Sequence, residues 1–212
     1  MTDVIILIVC GLIGYLLGSI NTSIVLSKVL YKEDIREKGS GNAGTTNALR
    51  SYGKKFAAFT LLGDLLKGIV AVLLAWLVAP TGWNQLAGVI AGGAAILGHN
   101  FPVYFGFKGG KGVLTTFAVM VVITPVPALI ALLIFIALVL VFKYVSLGSM
   151  TAAASLPLIV YFRGDYMDIP GGSTPIFWMS VGVALLIIIR HHANIGRLIK
   201  GTESKLSLKK GE

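Results

Sequence analysis

Charge is what this chain has least of. Only 13% of its 212 residues are Asp, Glu, Lys or Arg, about half the share of a typical soluble domain. With 56% hydrophobic residues, that deficit excludes an ordinary soluble fold and predicts an all-α, polytopic integral membrane protein. A transmembrane β-barrel is excluded as well, because runs such as 126–142 lack the polar and apolar alternation that barrel strands require. Cysteine is nearly absent: Cys10 stands alone within the first apolar run. Intrachain disulfides and CxxC or zinc-type spacings are therefore impossible, and no metal site is expected. The Met-Thr-Asp start has no basic n-region, so a cleaved signal peptide is not expected.

Acidic residues are the scarcer sign, 9 against 18 basic ones, for a net charge of +9. In a soluble protein such an excess would raise the question of nucleic acid. Here the basic residues cluster beside the ends of apolar runs, which reads as topology first and as binding of anionic lipids or substrates second. Seven apolar segments are expected, at roughly 4–27, 56–79, 84–98, 113–124, 126–142, 144–162 and 174–190. The third and fourth are short for a hydrocarbon core about 30 Å thick. Loop 28–55, loop 99–112, Lys143 and the tail 190–212 carry the positive charge. Linkers 80–83 and 124–127 carry none, and 163–173 sets Arg163 against Asp165 and Asp168. Seven crossings with the N-terminus outside and the C-terminus in the cytoplasm place every basic stretch on the cytoplasmic side. Fusing 113–142 into one kinked helix would put the basic tail outside. Five crossings would follow if two segments were re-entrant. No internal repeat is evident, so 1–212 reads as a single membrane-embedded domain. Segment 84–98 is dense in Gly and Ala, a composition that allows close helix approach.

Three polar stretches interrupt the apolar chain. The first, GSGNAGTTNALR at 39–50, joins glycines to hydroxyl, amide and guanidinium groups. Glycine amides, the Ser40 and Thr46 hydroxyls and the Arg50 guanidinium suit phosphate oxygens. Its formal GxGxxG is not a dinucleotide fingerprint, since no strand precedes it. The second stretch, GHNFPVYFGFKGGKG at 98–112, ends like a Walker A loop but has Phe105 for the first glycine and Gly112 for the magnesium-binding Ser or Thr. Nucleotide hydrolysis is thereby unsupported, while Lys108 and Lys111 remain apt positive clamps. His99 and Asn100 close the apolar run before them. The third stretch, from Arg190 to Arg197, carries His191 and Asn194 three residues apart on one helical face, with His192 pointing elsewhere. Within the second apolar segment, Asp64 and Lys67 lie at i, i+3, where they can neutralise one another. They are either a structural pair or the lining of a polar cavity.

These loops together resemble the bacterial acyl-phosphate:glycerol-3-phosphate acyltransferases, the integral-membrane PlsY family. The resemblance is carried by 39–50, by 98–112, by HHANIGRLIKGTE at 191–203 and by Asp64-Leu-Leu-Lys67-Gly68. Departures are small: Thr45 stands where alanine is common, His192 where arginine is common, and Gly196 where a basic residue is common. The resemblance implies transfer of a fatty acyl group from acyl phosphate to the 1-hydroxyl of sn-glycerol 3-phosphate. The products would be lysophosphatidic acid and inorganic phosphate, in the first acylation of phospholipid biosynthesis. It implies a bacterial cytoplasmic (inner) membrane location, an active site on the cytoplasmic side, no cofactor, no nucleic acid and no obligate protein partner beyond the membrane lipids.

By position, the resemblance assigns Ser40, Arg50, Lys111, His191 and Asn194 to catalysis. Gly41, Asn42, Thr46, Asn47, His99, Asn100, Lys108, Asp64 and Lys67 are expected around the phosphates. The attacking group is the substrate hydroxyl, so no enzyme nucleophile is called for. The HxxxxD acyltransferases are excluded, since Tyr104, Gly196 and Arg197 stand five positions after the three histidines. An organic-phosphate transporter is the rival from another class, resting mainly on Asp64 and Lys67. A purely structural membrane protein would leave three phosphate-suited loops unexplained.

Overall fold

The computed structural model describes residues 1–163 and 175–206. Asp165 and Asp168 of the linker and Lys209 and Lys210 of the tail lie outside the described residues. The chain folds into two compact units, Met1–Ile123 and Thr124–Glu212. All described regular structure is helical.

The first unit holds α1 (Thr2–Ser19), α2 (Thr22–Tyr31), α3 (Thr45–Tyr52), α4 (Lys54–Val78), α5 (Asn84–Asn100) and α6 (Val113–Ile123). The first apolar segment, expected as one run over 4–27, is broken. Ile20 and Asn21 adopt extended backbone between α1 and α2. Hydropathy runs straight through the break, which is why the pattern conceals it.

Small residues set the packing. Gly14 and Gly18 of α1 lie against the backbone of Ala91 and Ala95 of α5, and Gly98 lies against Tyr15 and Ser19. At each of these glycines a methyl group would collide with backbone atoms, so the two helices touch at main-chain level. The pairings 14 with 91 and 18 with 95 rise together, so α1 and α5 run in the same direction. Gly68 of α4 meets Ala118 and Thr115 of α6, while Gly92 of α5 meets Val72 of α4 and Val119 of α6. Helices α4 and α6 therefore run together and opposite to α5. This alternation brings both polar loops, 32–53 and 101–112, to the same end of the unit. Beneath the first loop, Ile24, Ile35, Ala43, Ala48, Phe56 and Ala57 form a small buried core. The Tyr31, Tyr52 and Phe56 rings extend it, with centroids 4.5–5.9 Å apart.

The second unit contains α7 (Pro125–Phe142), α8 (Val145–Arg163), α9 (Pro175–Arg190) and α10 (His192–Ile199). Pro125 opens α7 after the non-helical residue Thr124. It has no N–H to lose at a helix start, so the proline that would kink a fused 113–142 helix instead begins a new one. Lys143, with φ 64°, turns the chain between α7 and α8, and Gly148 admits Phe135 and Val139 of α7 against α8. Helices α9 and α10 meet at a bend of 57°.

Among the described residues, each of the seven expected apolar segments is mostly helical, yet they differ in reach. Five stretches among the described residues are long and apolar enough to cross a membrane, and six if the bent pair α9 and α10 counts as one. Helix α6 has 11 residues, about 16 Å of rise, roughly half a hydrocarbon core.

Candidate active site

The glycine-rich loop is shaped by positive φ at Gly39 (56°) and Gly41 (71°), on either side of Ser40. An L-side chain is strained there, and a methyl group on Gly39 would collide with the Asn47 carboxamide. Asn47, at the start of α3, is buried and turned back into the loop. Its Oδ1 accepts from the Ser40 amide at 2.9 Å, and its Nδ2 donates to the Lys38 carbonyl at 3.0 Å and the Ile35 carbonyl at 3.3 Å. The Gly41 amide donates to the Lys38 carbonyl, and the Gly44 amide to the Asn42 carbonyl, each at 3.0 Å. These contacts narrow the reading of the loop as a nest of glycine amides. The amides of Ser40, Gly41 and Gly44 hold the loop's own shape, and what the loop offers outward is its side chains. Ser40 and Arg50 are exposed, with Asn42 and Thr46 half-buried.

The second loop is fastened to the first by Arg36, a residue that the sequence marks only as one more basic charge of its loop. Its Nη1 donates to the carbonyls of Phe105 at 2.8 Å and Lys108 at 2.9 Å. The rest of the guanidinium grips Asp34, through Nε at 2.9 Å and Nη2 at 2.7 Å. Those hydrogen bonds outweigh burial and hold the Asp34 carboxyl at about 2, below its usual 3.8. Lys28 lies 5.6 Å from the centre of the Phe105 ring, close enough for a cation–π contact.

The tightest junction is at Gly110. A methyl group there would overlap His99 Nε2 and lie 2.7 Å from the Ala43 carbonyl oxygen. Gly110 is buried, Lys111 beside it is half-buried, and Lys108 is exposed. The Gly109 and Gly110 amides donate to the Asn100 and His99 carbonyls, both at 3.1 Å, folding the loop back on the end of α5. Asn100 is buried, with its Nδ2 on the Ile96 carbonyl at 2.8 Å.

Below the loops lies the charge pair. Lys67 Nζ is 2.9 Å from Asp64 Oδ1, with both side chains buried. It also donates to the Ile20 carbonyl at 3.1 Å and meets His99 Nδ1 at 2.8 Å. Thr22 Oγ1 donates to Asp64 Oδ1 at 3.2 Å. The pair therefore matches the break in the first span. The cation sits at the carbonyl end of α1 and the anion at the amide end of α2, each favoured by the helix dipole it faces. Of the two readings left open by the sequence, the packed pair describes this arrangement. The transporter reading leaned on the other and loses its main support.

In the second unit, His191 and Asn194 are buried while His192 is exposed. His191 Nδ1 donates to the Ile187 carbonyl at 2.8 Å, so in the neutral ring Nε2 carries the lone pair. Asn194 Nδ2 donates to Glu203 Oε1 at 2.6 Å. Ser146 donates to the same oxygen at 2.7 Å, and Arg197 Nε to Oε2 at 2.6 Å. Burial raises the Glu203 carboxyl, but these three donors prevail and hold it below the usual carboxylate range. Glu203 was not among the expected site residues; the only sequence signal for it was its place at the end of 191–203. The Leu206 amide reaches the Lys143 carbonyl at 2.7 Å, returning the tail to the start of α8.

Known proteins resemble this chain over nearly its whole length. The family model described as glycerol-3-phosphate acyltransferase matches residues 8–201. A glycerol-3-phosphate acyltransferase of Trichlorobacter lovleyi is 48% identical over 91% of this chain and 93% of its own. That of Halalkalibacterium halodurans is 43% identical over 93% and 94%. The crystal structure of PlsY, an integral membrane glycerol 3-phosphate acyltransferase, in its glycerol 3-phosphate form superposes with a TM-score of 0.84 at 36% identity, covering 95% of this chain and 96% of that one. Its lysophosphatidic acid form gives 0.81. The chain belongs to the PlsY family of glycerol-3-phosphate acyltransferases and is a multi-pass membrane protein.

Proposed function

We propose that this protein transfers a fatty acyl group from acyl phosphate to the 1-hydroxyl of sn-glycerol 3-phosphate, releasing lysophosphatidic acid and inorganic phosphate. The observation that carries the reading is the meeting of two glycine-rich loops at Gly110 and Ala43, which groups the basic and hydroxyl side chains of both loops at one end of the first unit. Two phosphate-bearing substrates repel each other, and cations beside them offset that repulsion. The related crystal structure in its glycerol 3-phosphate form supports the acceptor, and its lysophosphatidic acid form supports the product.

Acyl phosphate is a mixed anhydride and needs no further activation. In the proposed step the hydroxyl oxygen of the acceptor forms the new ester bond at the acyl carbonyl carbon. The bond from that carbon to the phosphate oxygen breaks, and phosphate leaves with the electron pair. The hydroxyl proton passes to a phosphate oxygen of the substrates; the neutral His191 ring, whose Nε2 carries the lone pair, is the other group suited to take it. Ser40, Arg50 and Lys111 are the proposed phosphate ligands, helped by Asn42, Thr46 and Lys108. Asn47, Gly41, His99 and Asn100 serve by shaping the loops. His191 and Asn194 remain proposed participants on the strength of the motif at 191–203. Orientation of two held substrates supplies much of the rate. The proposed setting is the bacterial cytoplasmic membrane, with seven crossings, the N-terminus outside and both loops in the cytoplasm.

The test is phosphate release by purified protein in detergent, given acyl phosphate and glycerol 3-phosphate without coenzyme A or nucleotide. Release that depends on both substrates is the expected result. No release sinks the reading.

A further inference from the structure

An ammonium has three N–H groups and no acceptor. Lys67 has three neighbours to receive them: Asp64 Oδ1 at 2.9 Å, the Ile20 carbonyl at 3.1 Å and His99 Nδ1 at 2.8 Å. Neutralising a buried lysine requires only the carboxylate. The third contact does something else. Because Lys67 can only donate, Nδ1 of His99 accepts, and the ring hydrogen is on Nε2. That nitrogen lies against Gly110, together with the Ala43 carbonyl of the other loop. The His99 carbonyl is held on both sides, by Asn21 Nδ2 at 3.0 Å and by the Gly110 amide at 3.1 Å, so the ring is anchored at its backbone too.

We propose that Lys67 is a positioning residue for acyl transfer, fixing the tautomer and ring plane of His99 and thereby the place of Gly110 and the adjoining Lys111. This rests on the acyltransferase reading above. Without the lysine, the nearest strong partner of Nδ1 is the Asp64 carboxylate, 3.7 Å away. Nδ1 then takes the hydrogen to donate to it, and Nε2 becomes a lone pair beside the Ala43 carbonyl. Two acceptors at the junction push the loops apart, and Lys111 moves with them.

The experiment compares Lys67→Met, His99→Gln and the double variant in steady-state kinetics, with ¹⁵N-histidine NMR of the detergent-solubilised protein. A glutamine amide carries N–H groups near the Nε2 position whatever its neighbour. Lys67→Met should raise KM for glycerol 3-phosphate at least about tenfold with kcat within roughly threefold. His99→Gln sets its own baseline, and Lys67→Met added to it should change KM by less than about threefold. Since Lys67→Met strands the Asp64 carboxylate and can unfold the protein, Asp64→Asn/Lys67→Met is measured beside it: the carboxylate that draws the hydrogen to Nδ1 is gone and an amide N–H can take the lysine's place, so its KM should rise less than about threefold. The NMR should find His99 with its hydrogen on Nε2 in the wild type and in this double variant, and displaced from it in Lys67→Met. An equal KM effect in both backgrounds, or a wild-type His99 carrying its hydrogen on Nδ1, overturns the proposal. Wild-type protein that fails to turn over acyl phosphate refutes the donor instead, and the NMR still decides the tautomer.

Discussion

Replacing Gly110 by alanine tests the loop junction with a single methyl group. At that position the new carbon would overlap His99 Nε2 and lie 2.7 Å from the Ala43 oxygen and 2.9 Å from His99 Cε1. None of these atoms is the loose end of a flexible side chain. The His99 ring is pinned at Nδ1 by Lys67, and the Ala43 oxygen is backbone. The loops must therefore separate by several tenths of an ångström. Overpacking of this kind costs about 1–3 kcal/mol. Expressed wholly in the transition state, that is a fall of roughly 5- to 150-fold in kcat/KM, and loss of alignment between two substrates places it toward the upper end. The phosphate-release assay reads this directly. Gly196→Ala is the control: it lies in α10 with no atom near the added methyl, and a helical alanine should stabilise by about 0.5–1 kcal/mol. If Gly110→Ala retained wild-type kcat/KM at unchanged Tm, the junction would not be tight and the proposed convergence of the loops would fail.

Arg36→Ala removes the fork joining Asp34 to the Phe105 and Lys108 carbonyls, and should raise KM for glycerol 3-phosphate about tenfold or more in the same assay. Arg36→Lys keeps the charge but not the fork and should recover only part of that loss. The folded Asp34 carboxyl, at about 2 against 3.8, contributes stability that is fully present above its unfolded value and lost as pH falls toward 2. Chemical denaturation from pH 8 to 5 should therefore show no step that Asp34→Asn abolishes. Glu203→Gln places an amide against three donors and should lower Tm in detergent, and Glu203→Ala at least as much. Since the Glu203 carboxyl is also depressed, the gap between wild type and Glu203→Gln should narrow as pH drops below the ordinary carboxylate range. Ser40→Ala, Arg50→Ala and Lys111→Ala should each cut phosphate release by about two orders of magnitude or more, with Tm near the wild type; full activity in all three would refute the site.

Helical segments were legible because hydropathy alone separates apolar runs from basic loops, and each of the seven expected runs is mostly helical among the described residues. The break at Ile20 and Asn21 was not, because Ile-Asn-Thr-Ser is too short a polar interruption to lower a long apolar average. What cures the break, Lys67 and Asp64, lies more than forty residues away. The glycine loop could be found from composition, but its inner wiring could not. Asn47 resembles a phosphate ligand by type, and only its reach to the Ser40 amide and the Lys38 carbonyl reveals a structural part. Arg36 was hidden differently: in a loop of seven basic residues, topology explains each charge equally well, and nothing in sequence singles out the one that bonds across to residue 105. Glu203 was invisible for lack of any local partner pattern, since its donors come from positions 146, 194 and 197.

The main-chain contact between α1 and α5 has a consequence for how the protein meets its lipid. Side-chain interfaces can slide by a rotamer, but Gly14, Gly18 and Gly98 leave no side chain to readjust. The two helices behave as one plank, and the residues at its end, Ile20 and His99, hold a fixed height relative to each other. A thicker or thinner bilayer can tilt that plank but cannot shear it. The height of the two helix ends relative to each other is thus a property of the protein's backbone, carried unchanged from one membrane composition to another.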